Sequence, residues 1–234
     1  MSLFLQADSL AVASQVLAEP LPTEQTLSIW SLLTSGGVGG IAIMIVLFVL
    51  LFGAFFLYFE RLMAINKASK IDTNFMNNIK LHIMAGKIDS AKMLCAQTNS
   101  PVARLIEKGI SRIGKPLEDI NTAIENAGNL ELYKLEKNTS MLATISGAGP
   151  MVGFLGTVVG MILAFHKMAS GGGQIEVGAL AEGIYTAMTT TVVGLVVGII
   201  AYVGYNHLVV KTNKVVNQME ANAVDFLDLL NEPV

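Results

Sequence analysis

The sequence predicts an all-α, polytopic membrane protein with three transmembrane helices and a helical cytoplasmic domain, in which long helices extend from the membrane into the cytoplasm. Of the 234 residues, 53% are hydrophobic and only 14% are charged, against roughly 25% charged in an ordinary soluble chain, and the mean hydropathy is +0.58. Three stretches without Asp, Glu, Lys or Arg each exceed the roughly 20 residues that a helix needs to cross the hydrocarbon core.

The uncharged stretches and the basic residues around them predict the topology. One stretch ends at Phe59, the second lies between Lys137 and Lys167, and the third lies between Glu182 and Lys211. Of the 15 Lys and Arg residues, 14 lie between the first two stretches or after the third, and cytoplasmic loops carry such an excess. The predicted segments are an external N-terminal segment (1–36), transmembrane helix 1 (37–59), a cytoplasmic helical loop (60–138), transmembrane helix 2 (139–165), a short external loop (166–182), transmembrane helix 3 (183–207) and a cytoplasmic tail (208–234).

The segments outside the spans are predicted to be largely helical. The weakly amphipathic N-terminal segment predicts a short helix on the membrane surface, followed by Trp30 as an interfacial anchor. In the large loop, Asp72 and Ser100 are each expected to cap a helix. A further helix after Pro116 is expected to continue into the second span, and the three glycines at 171–173 predict a flexible turn.

Spans two and three carry small residues at a four-residue spacing, whereas the first span is bulky and suited to facing lipid. The candidate helix-packing residues are Gly153, Gly156 and Gly160 on span two, and Gly194 and Gly198 on span three. Small residues every fourth position let helix backbones approach closely in lipid. For the glycines alone, packing between two spans of one chain is the simpler interpretation.

Threonines accompany the glycines. The candidates for lining a proton pathway or pore are Thr157 on span two and Thr186, Thr190 and Thr191 on span three. A threonine hydroxyl can bond the carbonyl four residues earlier on its own helix, which needs no functional explanation. The alternative is a hydrated interior lined by hydroxyl groups, and composition alone favours neither interpretation.

The spans lack the charged side chains that usually mark an ion pathway. None contains a carboxylate, Lys or Arg, the residues that mark ion pathways and proton relays, and threonine only donates and accepts hydrogen bonds. If protons pass along these helices, the acid that carries them must come from another chain. Three helices also cannot enclose a pore, so the sequence predicts a homo-oligomeric ring around a partner with its own membrane carboxylate.

Several function classes are not expected. A single cysteine, Cys95, and three histidines predict no disulfide framework, no metal site and no cofactor. The net charge of −3 gives no basic footprint for nucleic acid. Ser146 lacks the Gly-x-Ser-x-Gly environment of a nucleophilic serine and His166 stands at a span end, so no enzyme is expected. A passive membrane scaffold with tight Gly/Thr packing remains an alternative.

The two later spans resemble the MotA/TolQ/ExbB proton-channel family, and within it the ExbB proteins of the Ton system. The resemblance is carried by Gly153-Phe-Leu-Gly-Thr-Val-Val-Gly160 and by the run from Leu180 to Ile200. It implies a homo-pentamer in the bacterial inner membrane, with a periplasmic N-terminus and a cytoplasmic C-terminus. It also implies two partners: an ExbD-like single-span protein whose membrane Asp carries the proton, and a TonB-like protein that passes the energy to outer-membrane transport.

The resemblance also implies roles for individual residues. Thr157 and Thr191 match the family's threonines on spans two and three that face the central partner. Thr186 stands where the family often has a glutamate, which agrees with a titrating group that lies in the partner. A TolQ-like subunit of the Tol–Pal envelope system is the alternative within the family, and either H⁺ or Na⁺ fits as the transported ion.

Overall fold

The structure is a computed structural model that describes residues 37–70, 72, 74–170 and 177–231. It is 90% helical, and its described residues contain no strand, which confirms the all-α fold class. The helices are α1 (Gly37–Ala68), α2 (Phe75–Met84), α3 (Ile88–Gln97), α4 (Pro101–Ile110), α5 (Leu117–Glu136), α6 (Thr139–Ser170) and α7 (Val177–Asn231). Three helical stretches, in α1, α5–α6 and α7, are long and apolar enough to cross a membrane.

The apolar parts of α1, α6 and α7 form a three-helix bundle. Helices α6 and α7 are antiparallel, because Gly149 of α6 lies against Gly198 of α7 whereas Ala164 lies against Gly183. Helix α1 runs parallel to α7. Tyr58 of α1 is hydrogen-bonded to His207 of α7, and Asn66, further along α1, is hydrogen-bonded to Lys211, further along α7. The bundle therefore consists of one tight antiparallel pair with α1 packed against both partners.

Helix α7 joins the bundle to the helical domain formed by α2–α5. It runs without a break for 55 residues, which corresponds to about 80 Å, far more than the roughly 30 Å of the hydrocarbon core. Its second half buries Val215, Met219 and Phe226 in the same hydrophobic core as the shorter helices. The expected extension of long helices beyond the membrane is thereby confirmed.

Helix α4 is the centre of the helical domain, and its start follows from local chemistry. Ser100 has extended backbone geometry and its hydroxyl accepts a hydrogen bond from the Ala103 N–H at 3.1 Å, with Pro101 at the first helical position. This arrangement satisfies one of the free N–H groups of the first turn. A Cβ on Gly109 would lie 2.6 Å from the ring of Phe226, so the backbone of α4 contacts α7 directly.

Two local expectations differ from the structure. The helix after Pro116 does not continue into the second span, because Asn138 adopts φ +63° between α5 and α6, a left-handed conformation that asparagine tolerates. Asp72 is not the cap of α2: Asn74 occupies that position. The Asp72 carboxylate instead accepts from the Asn74 N–H at 3.0 Å, which forms an Asx turn just before the helix.

Some expectations lie outside the described residues. These are the N-terminal surface helix, the Trp30 anchor and the turn at 171–173. The exact limits of the spans and the side of the membrane on which each loop lies stay predictions.

Candidate functional site

The contact between α6 and α7 is built from glycines. A Cβ on Gly153 would lie 2.8 Å from the Thr190 carbonyl oxygen, and one on Gly194 would lie 2.6 Å from the carbonyl oxygen of Gly149. Gly198 lies against the Pro150 ring in the same way. Since real Cβ atoms do not approach backbone this closely, the two backbones touch at these positions. We call this contact the glycine seam.

The remaining predicted glycines also lie in the seam. Gly156 lies against the Thr190 side chain, and a Cβ on Gly160 would be 2.7 Å from Cβ of Ala187. The four-residue spacing of span two also places Ala164 on this face, but sequence reasoning missed its partner Gly183, which lies against Ala164 at the end of the seam. The missed signal was spacing, because Gly183 precedes Gly194 by about three turns and so occupies the same helix face.

Thr157 and Thr191 face each other across the seam, and their hydroxyls are directly hydrogen-bonded. Thr157 Oγ1 also lies 3.2 Å from the Ala187 carbonyl oxygen, and Thr191 Oγ1 lies 3.1 Å from that of Gly153. Ala187 and Gly153 each stand four residues before one of the threonines. Each hydroxyl therefore reaches the carbonyl one turn before the other threonine, and the arrangement is reciprocal.

The reciprocal pair has two proton arrangements, because each hydroxyl carries only one proton. In the first, Thr157 donates to Thr191, which donates to the Gly153 carbonyl. In the second, Thr191 donates to Thr157, which donates to the Ala187 carbonyl. The two arrangements have the same number of bonds and opposite direction, and each uses both protons, so the pair offers only lone pairs to a third group. It donates to a third group only when the hydroxyl that bonds the Gly153 or Ala187 carbonyl turns its proton away from that carbonyl, which moves no heavy atom.

The other span-three threonines are held differently. Thr190 and Thr186 are buried, with 3% and 8% of their surface exposed, and the Thr190 hydroxyl bonds the carbonyls of Ala187 at 2.7 Å and Gly153 at 3.1 Å. Thr189 bonds the Tyr185 carbonyl four residues earlier on its own helix at 3.1 Å. Thr189 therefore bonds only its own helix, whereas the single proton of Thr190 lies within reach of a carbonyl on its own helix and of one on α6. A hydrated interior lined by these hydroxyls stays a prediction.

The hydroxyl pair lies on the side of the α6–α7 hairpin away from α1. Helix α1 approaches α6 at Val159, where Gly39 makes its contact, and this position is rotated by about 200° from Thr157. Thr157 and Thr191 are half-buried, and their neighbours one turn away, Phe154 and Met188, are exposed. The spans contain no Asp, Glu, Lys or Arg, so this face combines apolar surface with hydroxyls and has no carboxylate, ammonium or guanidinium group.

Comparison with known proteins identifies the family. Residues 97–221 match the model of the MotA/TolQ/ExbB proton channel family. The chain belongs to this family. The matched region contains α4 to α6 and α7 as far as residue 221, and therefore the whole glycine seam. The resemblance inferred from the motifs of spans two and three is confirmed.

Individual family members align over different lengths. An ExbB homologue of Methanothermobacter thermautotrophicus is 25% identical over 162 residues, covering 69% of this chain and 57% of that protein. The Tol-Pal system protein TolQ of Haemophilus influenzae is 33% identical over 132 residues, covering 56% of this chain and 51% of that protein. TolQ of Pseudomonas aeruginosa is 24% identical over 227 residues, covering 92% of this chain and 97% of that protein. The chain spans little more than half the length of the first two relatives.

The region matched by the family model also contains an ion cluster that sequence reasoning missed. The Glu131 carboxylate is 5% exposed and accepts from Arg104 Nη2 at 2.6 Å and from Lys134 Nζ at 2.7 Å. Burial raises the pKa of Glu131, but the two charged hydrogen bonds lower it more, so the net pKa lies below its usual value. A glutamate within the apolar stripe that joins Ile124 to Leu135 was the available signal.

Cys95, the lone cysteine of this family member, is a core residue. Its side chain is buried, and burial, reinforced by the charge of Glu107, raises the pKa of its thiol to about 12. The thiolate is the reactive and metal-binding form, so this thiol is inert near neutral pH. Among the described residues no group of His, Cys, Asp and Glu could hold a metal ion.

Proposed function

We propose that this chain is the ring-forming subunit of a proton-driven motor in the bacterial inner membrane. In the proposed assembly five copies surround an ExbD-like single-span partner with a membrane aspartate, and a TonB-like protein transmits the energy to outer-membrane transport. The observation that carries the proposal is the Thr157–Thr191 hydroxyl pair on spans that contain no Asp, Glu, Lys or Arg. The chain itself performs no catalysis in this proposal.

The hydroxyl pair suits contact with a carboxylate that changes its protonation. A carboxylate only accepts hydrogen bonds when ionised and donates one when protonated. A ring hydroxyl must therefore donate to the ionised partner and accept from the protonated one. The Thr157–Thr191 pair accepts from a protonated carboxyl through its lone pairs. It donates to an ionised one when the hydroxyl that bonds a carbonyl turns its proton from that carbonyl to the carboxylate, while the helices stay fixed.

The free energy available from one proton is large enough to exchange hydrogen bonds at the pair. Moving one proton across 100 mV is worth about 2.3 kcal/mol, whereas exchanging one hydrogen bond for another involves about 0.5–1.5 kcal/mol. One proton can thus release the partner's carboxylate from one hydroxyl pair and drive it towards the next. A ring of identical pairs then converts successive protons into rotation of the partner.

Replacement of both hydroxyls tests the mechanism. Valine has the branched shape of threonine without its hydroxyl, so Thr157→Val combined with Thr191→Val is expected to lower proton-coupled transport about tenfold or more, since hydrogen bonds of about 1.4 kcal/mol in total are lost. The measurement is energy-dependent uptake in cells together with proton flux into proteoliposomes of the purified complex.

Thr189→Val is the matched control, because its hydroxyl bonds only its own helix, and it should retain full activity. The thermal midpoint of each purified variant separates loss of function from loss of folding. Coupled transport that persists in a well-folded double variant would contradict the proposed role of the pair. Transport by the wild type that is insensitive to membrane potential would favour a passive scaffold.

A TolQ-like role is the second candidate, and one observation favours it. The alignment with TolQ of Pseudomonas aeruginosa extends over 97% of that protein, far beyond the spans. A TolQ-like subunit would energise constriction of the outer membrane rather than uptake. Native mass spectrometry of the complex extracted from its own membranes distinguishes the two by the third protein that accompanies the ring and its single-span partner.

A further inference from the structure

A groove of about 380 Å³ runs along the contact between α1 and α7. Its floor is formed by the small residues Ala54, Ala201 and Gly204, and the larger, exposed Phe55 and Val203 form its walls. The small side chains on the floor leave space between α1 and α7, and the larger side chains beside them enclose this space as a trough. Its lining is apolar over almost the whole length, and it lies within the predicted first and third spans.

One end of the groove is polar and basic. The Tyr58 hydroxyl and His207 Nδ1, hydrogen-bonded at 2.7 Å, close this end. One turn further along α7, Lys211 Nζ donates to the Asn66 side-chain oxygen at 2.8 Å. Helix α7 contains no Asp or Glu from residue 183 to residue 219, so its charge beside the groove is exclusively positive.

We propose that this groove binds an acidic membrane phospholipid, with one acyl chain in the trough and the phosphate at the His207–Lys211 end. An apolar trough inside the predicted spans excludes water-soluble ligands, and basic sites at the ends of transmembrane helices favour acidic head groups. A second copy of this chain fits the charge less well, because it would bring the same basic stretch of α7. The proposal is independent of the motor function proposed above.

Two matched pairs of variants test the two halves of the site. Phe55→Ala removes a wall of the groove, whereas Phe52→Ala truncates a more exposed phenylalanine that does not line it. Lys211→Gln removes the charge and keeps a donor for Asn66, whereas Lys214→Gln removes a neighbouring charge that lies about 60° around α7 from Lys211 and lines a separate pocket. The purified full-length complex is delipidated in mild detergent and titrated with phosphatidylglycerol or phosphatidylcholine, and bound lipid is counted by native mass spectrometry.

The wild type is expected to retain one phosphatidylglycerol per chain in preference to phosphatidylcholine. Lys211→Gln should weaken phosphatidylglycerol binding about fivefold, the effect of one lysine near an acidic lipid. It should weaken phosphatidylcholine binding less, because the choline cation offsets the charge of its phosphate. Phe55→Ala should weaken both lipids, and the two controls should weaken neither. Equal binding of the two lipids by the wild type, or equal loss in a variant and its control, would overturn the proposal.

A photo-crosslinking residue at Val203 provides a second measurement that does not depend on affinity. Val203 is an exposed wall of the groove, so its substitution leaves the buried floor intact. Crosslinks to phospholipid support the proposal. Crosslinks to a second copy of the chain would mean that protein covers the groove and would overturn it.

Discussion

At the scale of single residues, the seam between α6 and α7 depends on glycines, which have no side chain to keep the two helices apart. Gly153 and Gly194 let two backbones touch, and this contact brings Thr157 and Thr191 within hydrogen-bonding distance of carbonyls on the opposite helix. In lipid, such close approach replaces the hydrophobic effect as the source of helix association. The same glycines therefore stabilise the hairpin and set the geometry of the hydroxyl pair.

Gly194→Ala tests this dependence against Gly147→Ala. A methyl group at residue 194 would lie 2.6 Å from the backbone oxygen of Gly149, which has no side chain to move aside, whereas residue 147 of the same hairpin has no neighbour within 4 Å. We expect Gly194→Ala to destabilise the protein by about 1–3 kcal/mol, and Gly147→Ala to be neutral or to stabilise it by up to about 1 kcal/mol. Unfolding by denaturing detergent, followed by circular dichroism, measures both. Equal effects would mean that the seam is not tightly packed.

At the scale of helices, the predicted and observed structures agree where the pattern is local. The apolar runs predicted the three spans, and Ser100 with Pro101 predicted the start of α4, since hydropathy and capping act within one turn or one helix. The break at Asn138 was not predicted, because an asparagine within a helical pattern carries no local signal for a left-handed conformation. The reach of Thr190 to Gly153 was not predictable either, because it depends on how α7 is aligned with α6.

Helix α5 carries the buried carboxylate of Glu131, and its pKa predicts a pH dependence. The pKa in the folded state lies below the ordinary 4.5, so the ion cluster stabilises the protein above about pH 4.5 and this contribution is lost as the pH falls through the folded-state pKa. The thermal midpoint of the detergent-solubilised protein should therefore fall between pH 5 and pH 3 by more in the wild type than in Glu131→Gln. Glu125→Gln, at an exposed position on the same helix, is the control and should behave as the wild type.

At the scale of the whole molecule, α7 connects the three-helix bundle to the helical domain. Its first half contributes to the glycine seam and to the lipid groove, and its second half buries Met219 and Phe226 among the shorter helices. One unbroken helix of 55 residues thus links the seam to the helical domain without a hinge. By contrast, the connection between the helical domain and the second span is interrupted: α5 ends at Glu136, α6 begins at Thr139, and Asn138 between them has a left-handed conformation.

The orientation of the whole chain in the membrane can be measured by cysteine labelling, because Cys95 does not react with thiol reagents near neutral pH. Its thiol is buried and its pKa is raised to about 12, so a maleimide reagent, which reacts with thiolates, should label only an introduced cysteine. Ser170→Cys at the exposed end of α6 and Lys115→Cys in the exposed turn before α5 lie beyond opposite ends of the second span. If the excess of basic residues marks the cytoplasm, an impermeant maleimide applied to cells with a permeabilised outer membrane labels residue 170 at once and residue 115 only after the inner membrane is opened. The reverse pattern would invert the topology and place the basic end of the lipid groove on the periplasmic side.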